Sequence, residues 1–533
     1  MRGLRVSIAL LASFGCNAVS CNSSRMVYGF ETIVSSVNLM WTPCFDDFTC
    51  ANLEVPVDYS NKGLGTTSIA FIKLAGKNAT AESQSIVIIP GGPGGSGVDL
   101  LLSERDLVGP ALGEQYNFVS FDPRGVNNTG LTMDCFSGNT EARQTFVELH
   151  RTGITNVSST SLEDQYYSSS IFGEWCNNAV KHEQPHGYYV STPAVAQDLL
   201  TFIKAEAEEG GQPTADAKLW CYGISYGTAI GTTFASMFPG RVGRMVLDGV
   251  INTEQYYTNN WTDNVDQMDE TIEVFSSLCH SAGPEACSFW GPTPANITAR
   301  LDAIIHELEH HPVSLSGAQN DELPALVTYS DLKALLLNAV YYPLVVFPEM
   351  AEILHQLEAG NASLLANSYR ALDPSTANSG LVIRCVDSYR RNSLTTIEDF
   401  EDYVEYTTSK TKYIGDIWPI YLDNILCRSF MPNLPDSMVI QDPTLKLDKP
   451  TSFPILFASN TIDGITPLKS ARTMSSRFPG SALLLQEAVG HTVINQRAST
   501  CYFGHVQAYF QGIVPTSNTT CPQQYFPFLD SGL

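Results

Sequence analysis

Leu219-Trp220-Cys221-Tyr222-Gly223-Ile224-Ser225-Tyr226-Gly227-Thr228 decides the fold of this chain: an apolar run enters the pattern G-x-S-x-G and leaves it into small residues over 228–236. The run reads as a strand and the small-residue stretch as a closely packed helix, so the serine sits on the turn between them. That turn is sharp enough for flanking side chains to clash with the crossing backbone, which is why glycine is needed at 223 and 227. Ser225 Oγ is then exposed at the carboxyl end of the strand as a candidate nucleophile. The Tyr226 N–H, at a helix N-terminus, becomes a candidate oxyanion donor. A chance Gly-Ser turn is the alternative; strand and helix on either side argue against it.

Working outward, Val/Ile/Phe-rich runs bounded by Gly and Pro predict strands at 53–57, 67–74, 86–89 and 118–121, then at 218–222 and 244–247. Strand, helix, strand implies a parallel sheet. From 251 to 450 the pattern turns helical, with amphipathic stretches at 297–310 and 331–341, and strands resume at 453–458 and 482–485.

The run Ile86-Val87-Ile88-Ile89 ends in Pro90-Gly91-Gly92-Pro93-Gly94-Gly95-Ser96-Gly97, a loop whose N–H groups are open to a ligand. Gly92 is the second candidate oxyanion donor; a phosphate loop would need a Gly-Lys-[ST] ending that is missing. Of the ten histidines, only His491, in Ala488-Val489-Gly490-His491, follows a late strand and a glycine, which marks it as the base. Asp463, in Ser459-Asn460-Thr461-Ile462-Asp463-Gly464, is the acid expected to orient it, with Asp248 after Met245-Val246-Leu247 as rival. His306-Glu307-Leu308-Glu309-His310 matches the zinc motif H-E-x-x-H. However, Leu301, Ile304, Ile305 and Leu308 form the apolar face, so both histidines point to solvent, and no third ligand is evident. No metal and no cofactor is expected.

With 533 residues, 44% of them hydrophobic, the chain can bury a large core and a second unit. A net charge of -25 argues against nucleic-acid and membrane-surface partners. Arg2 and Arg5 followed by Ile8-Ala9-Leu10-Leu11-Ala12 and small residues near 18–20 form a signal-peptide pattern. Sequons at Asn22, Asn78, Asn127, Asn156, Asn260, Asn296, Asn361 and Asn518 fit a secreted glycoprotein, with a vacuolar or lysosomal lumen as alternative. Thirteen cysteines in an oxidising compartment read as disulfides. Short spacing suggests Cys44–Cys50, Cys279–Cys287 and Cys501–Cys521, leaving Cys135–Cys176 and Cys385–Cys427 as long-range candidates. Cys221 reads as a buried thiol. Cys16 would leave with the signal, and Cys21 is open.

Several of these pieces together resemble the tripeptidyl and prolyl aminopeptidase branch of the α/β-hydrolases, serine peptidase family S33. They are Cys44 and Cys50 leading to Val55-Pro56-Val57-Asp58-Tyr59, the 91–97 loop, Phe121-Asp122-Pro123-Arg124-Gly125, residues 223–228, Leu247-Asp248-Gly249, and Asp463 with Thr466-Pro467. The stretch from Phe453 through Gly490-His491, Cys501 and Cys521 is similar to that group's C-terminal, TAP-like segment. Pro90, Ile224 and Val126-Asn127-Asn128 depart from the group's usual residues. The resemblance implies an α/β fold: a mostly parallel central sheet with helices on both faces and a large helical cap inserted between strands 6 and 7. The expected layout is signal peptide 1–20, core 21–250, cap 251–450 and TAP-like core 451–533. The implied activity is release of N-terminal residues or short peptides from oligopeptides by a monomeric enzyme acting through an acyl-enzyme. Cap carboxylates would hold the substrate ammonium, with Glu254, Asp266, Glu270 and Glu273 in the right region. An esterase or lactonase with the same triad is the second reading. A third, a non-catalytic binding protein, would be expected to lack a triad member.

Overall fold

In the computed structural model, residues 26–317, 324–368 and 378–530 are described. The signal-like stretch, Cys16, Cys21 and Asn22 fall outside them. The strands assemble into one sheet in the spatial order Ser35–Ser36, Phe48–Pro56, Thr66–Ala75, Asn117–Phe121, Ser85–Ile89, Leu219–Ile224, Val242–Asp248, Leu456–Ile462, Ala482–Val489, Thr519–Cys521. Thr66–Ala75 runs antiparallel to both neighbours, and every pairing from Asn117–Phe121 onward is parallel. Ser85–Ile89 lies between Asn117–Phe121 and Leu219–Ile224, so the strand order reverses there. Ligands of open α/β sheets bind at the strand ends beside such a reversal.

The strands at the switch are apolar because helices cover both faces; Ser85–Ile89 is buried throughout. The helix Tyr226–Met237 lies unusually close to the sheet. A Cβ on Gly227 would overlap the carbonyl oxygen of Ile89, and one on Gly223 would lie 2.7 Å from the Gly227 oxygen.

Between Asp248 and Leu456 the described residues form helices and one two-stranded hairpin, Val313–Leu315 with Ala325–Val327. The cap is not one contiguous insert. Helices Thr140–His150 and Ser161–His182, which precede Leu219–Ile224 in the chain, pack on it: Asn177 Nδ2 donates to Ser429 O at 2.9 Å, and Gly173 abuts Ser429. These helices lie inside the span 21–250, where the sequence shows strands on both sides and no signal of a switch of partner. Disulfides join Cys44–Cys50, Cys135–Cys176, Cys279–Cys287, Cys385–Cys427 and Cys501–Cys521, while Cys221 is free and buried. No helix among the described residues is long and apolar enough to cross a membrane. Asn78, Asn127, Asn156, Asn296, Asn361 and Asn518 are exposed, and Asn260 is half-buried.

Candidate active site

The turn after Leu219–Ile224 places Ser225 at φ 52°, ψ -116°. This is strained for a residue with a Cβ, and it is held by Ser225 N–H donating to Asp248 O at 2.9 Å and by Thr228 N–H donating to Ser225 O at 2.8 Å. Tyr226 opens the following helix, so its N–H has no intrahelical acceptor. The loop from Ser85–Ile89 runs alongside: a Cβ on Gly91 would lie 3.3 Å from Ser225 Cβ, and Gly92, at φ 117°, lines the same cavity. The glycine loop thus meets the serine at Gly91, with the two candidate donors next to that contact, Gly92 along the loop and Tyr226 along the helix.

Two late strand ends deliver the partners. His491 Nε2 lies 2.9 Å from Ser225 Oγ, and His491 Nδ1 lies 3.2 Å from each oxygen of Asp463. Asp463 also accepts from Ile465 N, Thr466 N and Thr492 N at 2.8–3.0 Å and from Thr466 Oγ1 at 2.8 Å. Burial alone would lift its pKa; the His491 ring and these donors outweigh it and hold the carboxyl below its ordinary range. The cap steadies the imidazole as well. Tyr341 O accepts from His491 N at 3.1 Å, and the Tyr341 ring stands edge-on to it at 5.5 Å.

Asp248 does not touch His491. It accepts from Val493 N at 2.8 Å, Ile494 N at 3.0 Å and Tyr222 Oη at 2.8 Å, so it fastens the loop that follows the histidine. Burial pushes its carboxyl up to about 6. Two more motif residues are structural in the same way. Asp122 ties down the far end of the glycine loop, accepting from Ser96 Oγ at 2.6 Å and Val98 N at 3.1 Å. Arg124 is fully buried, bidentate to Asp198 at 2.7 Å, and donates to the carbonyls of Pro56, Val57 and Tyr189.

Between cap and core a half-open cavity of about 630 Å³ lies over Ser225 and His491, walled by Trp261, Tyr341, Trp418 and Tyr421 among others. None of the four expected ammonium ligands lines it. Glu254 pairs with Arg477 at 2.6 Å and Asp266 with Lys469 at 2.9 Å, Glu270 accepts from Gln267, and Glu273 is exposed. The carboxylate that does face the cavity is Asp423, already bound by His150 Nε2 at 2.7 Å and Arg151 Nη2 at 3.1 Å. Arg384 faces it too. Sequence reasoning missed both, although each lies within four residues of a cysteine of the Cys385–Cys427 bridge that brings them together. The H-E-x-x-H histidines lie on the outer face of the helix Pro294–His310, with His306 and His310 side chains 77% and 54% exposed and outside the cavity wall.

A hydroxyl, an imidazole and a carboxylate in line at the ends of parallel strands define a serine hydrolase, and the strand order around them is that of the α/β-hydrolase fold. Family models agree: one described as alpha/beta hydrolase fold matches residues 84–278, and one described as TAP-like protein matches residues 427–521, beginning inside the cap rather than at Phe453. The chain is an α/β-hydrolase carrying a TAP-like C-terminal part. Serine protease Hip1 of Mycobacterium tuberculosis is 25% identical, with 90% of this chain and 90% of that protein covered. Tripeptidyl aminopeptidase of Streptomyces lividans is 24% identical, covering 91% and 87%. Carboxylesterase B of M. tuberculosis is 22% identical, covering 89% and 86%.

Proposed function

We propose that this serine hydrolase is an exo-peptidase that releases N-terminal residues or short peptides from oligopeptides, working as a monomer outside the cell. The single observation that carries the chemistry is the Ser225–His491–Asp463 alignment beneath the cap. Ser225 Oγ attacks the scissile carbonyl while His491 Nε2 takes its proton. The N–H groups of Gly92 and Tyr226 receive the oxyanion, and His491 returns the proton to the leaving amine as the C–N bond breaks. Water, activated by His491, then hydrolyses the acyl-enzyme and restores Ser225. Peptide as substrate is supported by the names of two relatives, serine protease and tripeptidyl aminopeptidase. The cap over the serine supports action on chain ends, since it narrows the approach open to a folded polypeptide.

An acyl-ester substrate is the second reading, and one observation favours it: the only carboxylate on the described cavity wall, Asp423, is already held by His150 and Arg151, leaving no free anion for a peptide's ammonium. The test is to label the purified protein with a serine-directed phosphonate and compare free and N-terminally blocked peptides with simple esters. Labelling that survives Ser225→Ala overturns the nucleophile. Cleavage confined to blocked peptides or esters overturns the aminopeptidase reading in favour of the second. Activity is expected to persist in EDTA; its loss would revive the metal motif at 306–310.

A further inference from the structure

We propose that Arg384 is an anion subsite of the Ser225 cavity and that the substrate carries a carboxylate close to its scissile carbonyl; the proposal rests on the serine-hydrolase reading above. Arg384 lines the cavity, yet its Nη1 is buried without a hydrogen-bond partner. No hydrogen bond or ion pair to any of its guanidinium nitrogens is found among the described residues. A guanidinium placed for structure looks different in this same protein. Arg124, fully buried, has both oxygens of Asp198 and three carbonyls around it, whereas Arg384 is partly buried with its Nη1 unanswered. Leaving the Nη1 donors of a guanidinium out of water with nothing to receive them is unfavourable, so such a group marks a place where a ligand completes the set.

The neighbouring charges do not complete it. Arg143 is paired with Asp134 at 2.6 Å, and Asp423 is taken up by His150 and Arg151. Among the described residues, Arg384 therefore leaves one positive charge without an ion pair on a largely apolar wall. Burial lowers its pKa, while Asp423 and nearby tyrosines act the other way without bonding to it.

The backbone places this charge near the chemistry. The helix Asn378–Asp387 abuts the glycine loop, Gly380 packing directly on the Pro93 carbonyl. Arg384 is four residues on, on the same helix face, one turn or about 6 Å along the axis. The helix is anchored behind the nucleophile: Asp387 accepts from Thr192 N at 2.8 Å and Tyr256 Oη at 2.7 Å, and Thr192 Oγ1 lies 2.6 Å from Tyr226 Oη. A carboxylate matches a guanidinium fork bidentately, which a neutral amide of the same shape cannot do.

The experiment compares p-nitroanilides and p-nitrophenyl esters whose acyl part ends in, or is one residue from, Glu or Asp with the matched Gln or Asn compounds. For the wild-type protein kcat/KM is expected to favour the acid by at least about tenfold. In Arg384→Gln this ratio should fall to about one, and in Arg384→Lys an intermediate preference should remain. Because the readout is a ratio, a partly misfolded variant does not disturb it. Equal hydrolysis of acid and amide by the wild type, or an acid preference untouched in Arg384→Gln, overturns the subsite and leaves the hydrolase reading standing. Failure to hydrolyse any of the compounds overturns both.

Discussion

Replacing Asp463 with Asn is the sharpest test of how the site is wired. The carboxylate serves two sets of donors. Oδ1 receives Ile465 N and Thr466 N, while Oδ2 receives Thr492 N and the Thr466 hydroxyl, and both oxygens face His491 Nδ1. An amide has one accepting oxygen. It would keep that oxygen toward the pair at Oδ1 and turn its NH2 toward Thr466 Oγ1, which can rotate to accept. Thr492 N–H is then left unpaired in a buried place, costing about 1–3 kcal/mol of stability. Catalysis should suffer more. Without the charge, the imidazolium formed on proton transfer loses its partner, and the NH2 next to Nδ1 opposes the tautomer that Ser225 needs. In the chymotrypsin-type triad the equivalent change lowers kcat by about 10⁴, or about 5.5 kcal/mol. The assay is kcat on an ester in parallel with a thermal melt, with Asp248→Asn measured beside it. Asp248→Asn should lower kcat by less than about tenfold, since that carboxylate holds the backbone at 493–494 and not the ring. Near-normal turnover in Asp463→Asn with collapse in Asp248→Asn would refute the assignment of the acid.

Acid should stabilise the fold down to about pH 4. Asp248 and Asp387 are both raised by burial from 3.8 to about 6, so their contribution is fully present below the ordinary value and lost as pH rises through about 6. Tm should be higher at pH 5 than at pH 7.5; the opposite order would contradict the two buried protons. Asp463, held low, acts in the other direction and only below 3.8. Gly227→Ala should destabilise by about 1–3 kcal/mol or more and lower turnover, because its Cβ overlaps the Ile89 carbonyl and lies 3.0 Å from the Pro90 oxygen; an unchanged denaturation midpoint would be evidence against the close helix. Arg124→Lys should cost about 3–5 kcal/mol in a urea melt, since an ammonium cannot serve both Asp198 oxygens and three carbonyls.

The elbow was legible in the sequence because its demands are local. Glycine at 223 and 227 and the small residues after Thr228 are required by contacts within a strand, a turn and a helix. The same holds for the Gly91-Gly92 loop and for the strand-then-polar-turn that carries Asp463. Asp463 and Asp248 compete in the sequence because both end strands and both precede His491; the register of Leu456–Ile462 beside Ala482–Val489 brings Asp463 to the imidazole. The helices at 140–182 were unreadable as cap. An amphipathic helix records that one face is covered, not what covers it.

By itself, then, the sequence determined the turn that carries Ser225, the parallel sheet that presents it, the candidate base, and three cysteine pairs whose short spacing names the partners. Tertiary structure alone decided what surrounds the serine. It turned Glu254 and Asp266 outward to basic partners, occupied Asp423 with His150 and Arg151, and, among the described residues, left Arg384 Nη1 unanswered in the cavity wall. Backbone geometry is dictated by neighbours along the chain, whereas the charge of a cavity is a sum over side chains hundreds of residues apart, and that sum exists only once the chain has folded.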